Sequence, residues 1–415
     1  MPKRLPNRRW LTLLGFGGCL ALSGCGPSTG LPNVLYIAIA TGNDQTFNAD
    51  LRQEVQERLE ETAQGFRQIY PQTSFQFSLY PEDQILAAMR RRSRAGLEPD
   101  LLYVNGDTAL QLLRAGLVDP FPATKEQLSL FNPEELQRLR TDNGQLAGLP
   151  LLVQTQLSCF NRKRLDQAPT TLKELLSASA NGQTVGLSVD LYQLIWSLGS
   201  TGALPAFERA AQGLAPSQEQ SQALERWLSW LQEANNQQKV TFYSDQQTVE
   251  TEFIAGRLDW IPCRSSLVPQ LRRALGANNL GVAPLPDGDG PKASPVNRLR
   301  VLALGRHSSR QGRQRAVTFT AFGVNPLTQR SLTMGSQTVL PANRFVTVPV
   351  RSSQLLRTIV TAAEQGQQAN SLVSLFHTND PRIPQVRNLL TELVFGEIKP
   401  QLASTRLIKI LRGRP

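Results

Sequence analysis

A chain of 415 residues that is 40% hydrophobic and 19% charged is too apolar to stay disordered and too long for one core, so a folded body of two lobes is expected. The formal net charge of +11 is modest for that length. The basic clusters Arg90-Arg91-Arg92-Ser93-Arg94 and Arg306 to Arg315 lack the interleaved aromatics of a single-strand groove, which excludes nucleic acid as an expected partner and leaves solvated helix faces or helix-leading loops.

At the start of the chain Lys3, Arg4, Arg8 and Arg9 precede an apolar run from Trp10 to Leu22, then Ser23-Gly24-Cys25. The run is too short to span a bilayer, and the small residues fit a peptidase cleft, so residues 1–24 read as a lipoprotein signal peptide. Cys25 then becomes the lipidated first residue, with residues 25–32 a short stalk, and the protein is exported and tethered to a bacterial membrane. Without these 24 residues the 415 become 391 and the charge falls from +11 to +7, since the four leader cations meet no Asp or Glu there.

From Asn33 short apolar runs alternate with amphipathic helices. Val34 to Ala40 reads as a strand, and Phe47, Leu51, Val55, Leu59, Phe66 and Ile69 mark a helix that Tyr70-Pro71 ends. A strand through Phe75 to Leu79, a helix over 82–95 and a strand over 99–104 follow, the alternation of a mostly parallel sheet covered on both faces. Gly144 to Thr155 reads as a first crossover into a second lobe. That lobe takes the run 157–160, a helix over 171–180, a strand over 184–187, helices near 191–198, 217–234 and 248–255, and the strand Leu258 to Cys263. Leu280 to Pro286 reads as the second crossover, before a strand at 300–304, a helix at 311–322 and a helical last third. The lobes are therefore expected as 33–150 with 285–344, and 151–284 with 345–415. Cys159 and Cys263 each sit in an apolar strand-like run, which favours two buried free thiols over a disulfide.

The order of motifs resembles the extracellular solute-binding proteins of ABC importers, in the group that includes the maltose-binding and other sugar-binding proteins. The resemblance is carried by Pro99 to Asn105 with Leu113 to Val118, by Asn143 to Pro150, by Asn161-Arg162-Lys163 and by Pro169 to Leu176. It continues through Phe253 to Arg257, Gly281 to Pro286 and Gly335 to Ala342. It implies a two-lobed α/β periplasmic-binding-protein fold of type II-like form, closing on a small polar solute, with a sugar or oligosaccharide foremost. It also implies an ABC permease with its ATPase as partner, a monomer and no cofactor or metal. The first strand lacks the Trp that is frequent there in sugar binders, and Trp260-Ile261-Pro262-Cys263-Arg264 replaces a Met-x-x-x-Gly-x-Trp-like run, which leaves anionic and peptide-like solutes open.

Ligand groups belong at strand ends and crossovers, where both lobes meet in the closed state. The first-lobe candidates are Asn43 and Asp44 after the first strand, and Asn105 and Asp107 after the third; both aspartates equally suit helix caps. Gln154, Thr155, Tyr192, Trp196, Trp260 and Arg264 are the candidates from the crossover and second lobe. Either Trp can stack on a sugar ring or pack in a core, and Arg264 can grip an anion or form an ion pair. Catalysis has little to stand on: His307 and His377 have no recognisable partner, and no nucleophile-elbow, phosphate-loop or dinucleotide motif occurs after the leader. A ligand sensor or assembly accessory of the same build is the alternative to import.

Overall fold

The computed structural model describes residues 33–41, 49–376 and 380–413. Cys25, Asn43, Asp44 and His377 lie outside the described residues.

The β-rich run β1 (Asn33–Thr41) pairs in parallel with β2 (Thr73–Pro81) and β3 (Leu101–Asn105). Each connection is a helix, Ala49–Ile69 or Ile85–Arg94, so the expected strand–helix alternation is present at this end. The short β4 (Val118–Asp119) follows, and then the 13-residue β5 (Leu149–Asn161), an almost wholly buried strand. Its length is its function in the fold. Residues 149–155 pair with β10 (Asn297–Gly305), and residues 156–161 pair with β8 (Trp260–Arg264) and, in part, with β9 (Leu280–Ala283).

In the second lobe β6 (Val185–Ser188) pairs in parallel with β7 (Val240–Tyr243) and with β8. The small β11 (Leu340–Pro341) returns to β5. The strand order β2-β1-β3-β10-β5-β8-β6-β7 is thus parallel at both ends and antiparallel in the middle, because the strands that change lobes run back against their neighbours. Helix starts are set by local chemistry: Ser217 and Gln220 form a capping box, and Asp245 accepts from the Thr248 N–H at 2.8 Å.

Two features differ from the sequence reading. Residues 285–296 pack in the second lobe: Leu285, Ala293 and Val296 join its core, and Ser294 N–H donates to the Trp196 carbonyl at 3.1 Å. The chain re-enters the first lobe only at Asn297, so the return lies about a dozen residues later than the Leu280 to Pro286 run suggests. Secondly, Cys159 and Cys263 form a disulfide with Cα atoms 5.7 Å apart, in place of two free thiols. Antiparallel register sets Leu157 opposite Cys263 and Cys159 opposite Ile261, so the cysteines are diagonal neighbours on one face.

Candidate functional site

The floor of the cleft lies where β1, β2 and β3 end. Arg300 of β10, 4% exposed, reaches across these ends: it donates to Glu82 Oε2 at 3.1 Å, to Asn105 Oδ1 at 2.8 Å and to the Ala40 carbonyl, over the Tyr103 ring. Glu82 Oε1 in turn accepts the Asn105 N–H at 3.0 Å. A buried guanidinium is tolerable only with such complete pairing, and the network fixes the start of the helix Gly106–Arg114.

Above this floor two adjoining cavities open between the lobes, one of about 570 Å³ and one of about 100 Å³. Asp107 and Arg138 line both. Asp107 sits half-buried in the first turn of its helix, where the positive helix end favours a carboxylate. Arg138 follows the short helix Pro133–Gln137 and spans the cleft: it donates to Asn370 Oδ1 at 3.2 Å on the second-lobe helix Gln367–Ser374, and to the Asn297 carbonyl at 2.9 Å on the returning strand. Burial lowers its basicity, and the carboxylates of Asp107 and Glu135 oppose that effect. Tyr192, Asn297 and Arg298 complete the smaller cavity, and Phe376 closes one side of the larger. Burial first, then the negative charges of Asp107, Asp190 and Asp380, push the Tyr192 phenol well up from its ordinary value, so its hydroxyl stays protonated as a donor.

Of the sequence candidates, the cleft brings Asp107 and Tyr192 together from opposite lobes, with Asn105 beneath them. Asn105 spends its side-chain oxygen on Arg300. Gln154 is half-buried opposite Arg298, while Thr155, wholly buried, donates its N–H to Ser265 Oγ at 3.3 Å. Arg264 is 2% exposed, and neither it nor Thr155 lines either cavity.

Trp196 and Trp260 are corrected from stacking candidates to core residues. Both are fully buried, 6.3 Å apart between ring centroids, and Trp196 also meets Trp230 edge-on at 5.9 Å. The helix Leu191–Ser200 turns Tyr192 to the cleft and Trp196 into the core, and Trp260 faces the same core from β8. The sequence reading missed Arg138, Asn370, Arg298 and the Glu82–Arg300 pair. For Arg298 and Arg300 a signal existed, two arginines flanking Leu299 in an apolar strand; Arg138 and Arg140 flank Leu139 in the same way, but in a short, mostly polar stretch where arginines read as solvated.

Polar groups from both lobes around one void suit hydrogen-bonded capture of a small molecule. Among the described residues no group of three or more His, Cys, Asp or Glu is placed to hold a metal ion, and no helix is long and apolar enough to cross a membrane.

Comparison with known proteins matches the fold. The GacH receptor of Streptomyces glaucescens, solved unliganded and with acarbose and an acarbose homologue, aligns with TM-score 0.71 at 16% identity over 93% of this chain and all of its own. A Thermotoga lettingae ABC transporter solute-binding protein bound to α-D-tagatose gives 0.65 at 16% over 91% of this chain and 99% of its own. The maltose-maltodextrin binding protein of Alicyclobacillus acidocaldarius gives 0.65 at 15% over 92% and 100%. No curated protein matches the chain. The two-lobed fold is therefore common to all three and to this protein. The family profile of the bacterial extracellular solute-binding proteins runs through both lobes, from residue 63 to residue 349; the chain belongs to that family.

Proposed function

We propose that this protein is the substrate-binding lipoprotein of an ABC importer, capturing a sugar or oligosaccharide by hinge closure and handing it to a membrane permease. The observation that carries the reading is the pair of adjoining cavities between the lobes, both faced by Asp107 and Arg138 from one side, with Tyr192 facing the smaller and Asn370 the larger from the other. Such a site gains affinity only when both lobes engage, which makes ligand binding and closure one event. Solved relatives of the same fold hold acarbose, tagatose and maltodextrins, which supports the solute class. Asp107, Tyr192 and Asn370 are the proposed hydroxyl partners, and Arg138 and Arg298 serve as donors. Cys25 supplies the lipid anchor, and residues 33–150 with the returning strand form one lobe of a monomer.

Thermal unfolding against a panel of sugars, polyols, amino acids and organic phosphates tests this. A ligand at 100 times its Kd adds about 2.7 kcal/mol, a rise of a few degrees in Tm. A maltodextrin or other sugar should produce it, and Asp107→Ala should remove it. A shift with organic phosphates alone would replace the sugar reading, and no shift across the panel would overturn solute capture.

A further inference from the structure

The first lobe carries a second charged surface at the pole opposite its cleft. β1 and β3 start at this pole and end under Arg300, and β10 runs the other way, so the residues after Gly305 emerge here. Three separate segments deliver arginines to it. The helix Ile85–Arg94 ends with exposed Arg91 and Arg94, and Arg92 donates to the Leu97 carbonyl at 2.8 Å. The loop after β10 brings exposed Arg306, which donates to the Gly116 carbonyl. The helix Arg310–Gly323 begins with exposed Arg310, then Arg313 and Arg315.

Three carboxylates near these arginines are turned inward or spent. Asp100 accepts the Tyr36 N–H at 3.0 Å, Glu98 is 6% exposed beside His307, and Asp119 pairs with Arg313. Cations in the first turn of a helix oppose its dipole, and this helix has no acidic residue there, so its own stability does not account for them. Arg315 also donates to Asn33 Oδ1 at 3.2 Å, which places the start of the described chain at the same pole. Cys25 precedes Asn33 by eight residues, a reach of about 28 Å at full extension.

We infer that this arginine-rich pole docks on the anionic headgroups of the bilayer, holding the first lobe on the membrane with the cleft turned away toward solutes. A single lipid chain gives marginal anchoring, and a polybasic surface supplies the second signal. The tether half of this argument rests on the lipoprotein reading; the docking half does not, because the patch attracts anionic lipid with or without a lipidated cysteine.

The test is partition of residues 25–415, with Cys25→Ser throughout so that neither the leader nor lipidation enters, between buffer and vesicles of phosphatidylcholine alone or with phosphatidylglycerol. Phosphatidylglycerol should raise binding, and added salt should abolish the gain. With each arginine near an anionic surface worth about 1 kcal/mol, the Arg91→Gln/Arg94→Gln/Arg310→Gln variant should lose roughly a hundred-fold of that gain. A Lys163→Gln/Arg164→Gln/Arg226→Gln variant, equal in net charge but altered on the second lobe, should keep it. Equal partition on both vesicles overturns the inference, as does an equal loss in the two variants. Mass measurement of the unaltered membrane-extracted protein separately decides whether Cys25 carries lipid.

Discussion

At the scale of single residues one carboxyl beside Arg138 sets a pH dependence. Glu135 lies one turn before Arg138 and lines neither cavity, its Oε2 buried with no hydrogen-bond partner among the described residues. Burial pushes its pKa from 4.5 up to about 7, Arg138 pulling it down and Glu134 adding to the rise. The folded protein therefore keeps a proton between pH 4.5 and 7 that the unfolded chain has released. Stability contributed by this group is present below pH 4.5 and is lost as pH rises toward 7. Glu135→Gln, which stays neutral, should gain stability relative to the parent as pH rises through that window. Urea unfolding at about pH 5 and pH 7.5 checks it; an equal difference at both values would show that Glu135 titrates normally.

Among the elements, β5 and β8 carry the greatest burden, since one strand belongs to both lobes and the other is stapled to it. The Cys159–Cys263 bond closes a separation of 104 residues, and cross-linking so long a loop restricts the unfolded chain by about 4–5 kcal/mol. Cys159→Ala/Cys263→Ala should lower unfolding free energy by about 3–5 kcal/mol, and reductant should then have no further effect on the variant. A loss within error of zero would mean that sheet packing alone fixes this register. The pairing was hidden in the sequence for a physical reason: an apolar run serves a buried thiol and a half-cystine equally, and only register makes two such residues diagonal. The same limit governs Trp196 and Trp260, whose strand and helix were legible from periodicity, while the side they face depends on what packs there. Alternation did expose β1, β2, β3 and their helices, because each buries one run between polar turns. It did not expose β7, whose four residues Val240–Tyr243 carry too little pattern, or the helix Leu204–Ala211, which begins in a Gly-Ala-Leu-Pro stretch that reads as a turn.

For the whole molecule the question is what sets the balance between open and closed lobes. Three segments cross between them, β5, the segment entering β10 and the stretch after β11 that leads into the helix Gln367–Ser374, and the buried Gln156 ties the first two together: its Oε1 accepts the Val296 N–H at 3.0 Å and its Nε2 donates to Gln193 at 2.9 Å. That network holds the hinge without choosing an angle. Arg138 does choose one, because its bond to Asn370 joins the lobes across the cleft itself. A half-buried hydrogen bond to a charged group is worth about 1.5 kcal/mol, a little over ten-fold in the closed population. Arg138→Ala should therefore raise the radius of gyration in small-angle scattering and weaken capture of whichever solute the thermal panel identifies by about ten-fold. Asn370→Ala removes the same bond from the other side, so without solute, where direct ligand contacts do not enter, adding it to Arg138→Ala should raise the radius of gyration little beyond either change alone. If the two effects on the radius of gyration simply add, the residues act independently and the bridge does not govern closure.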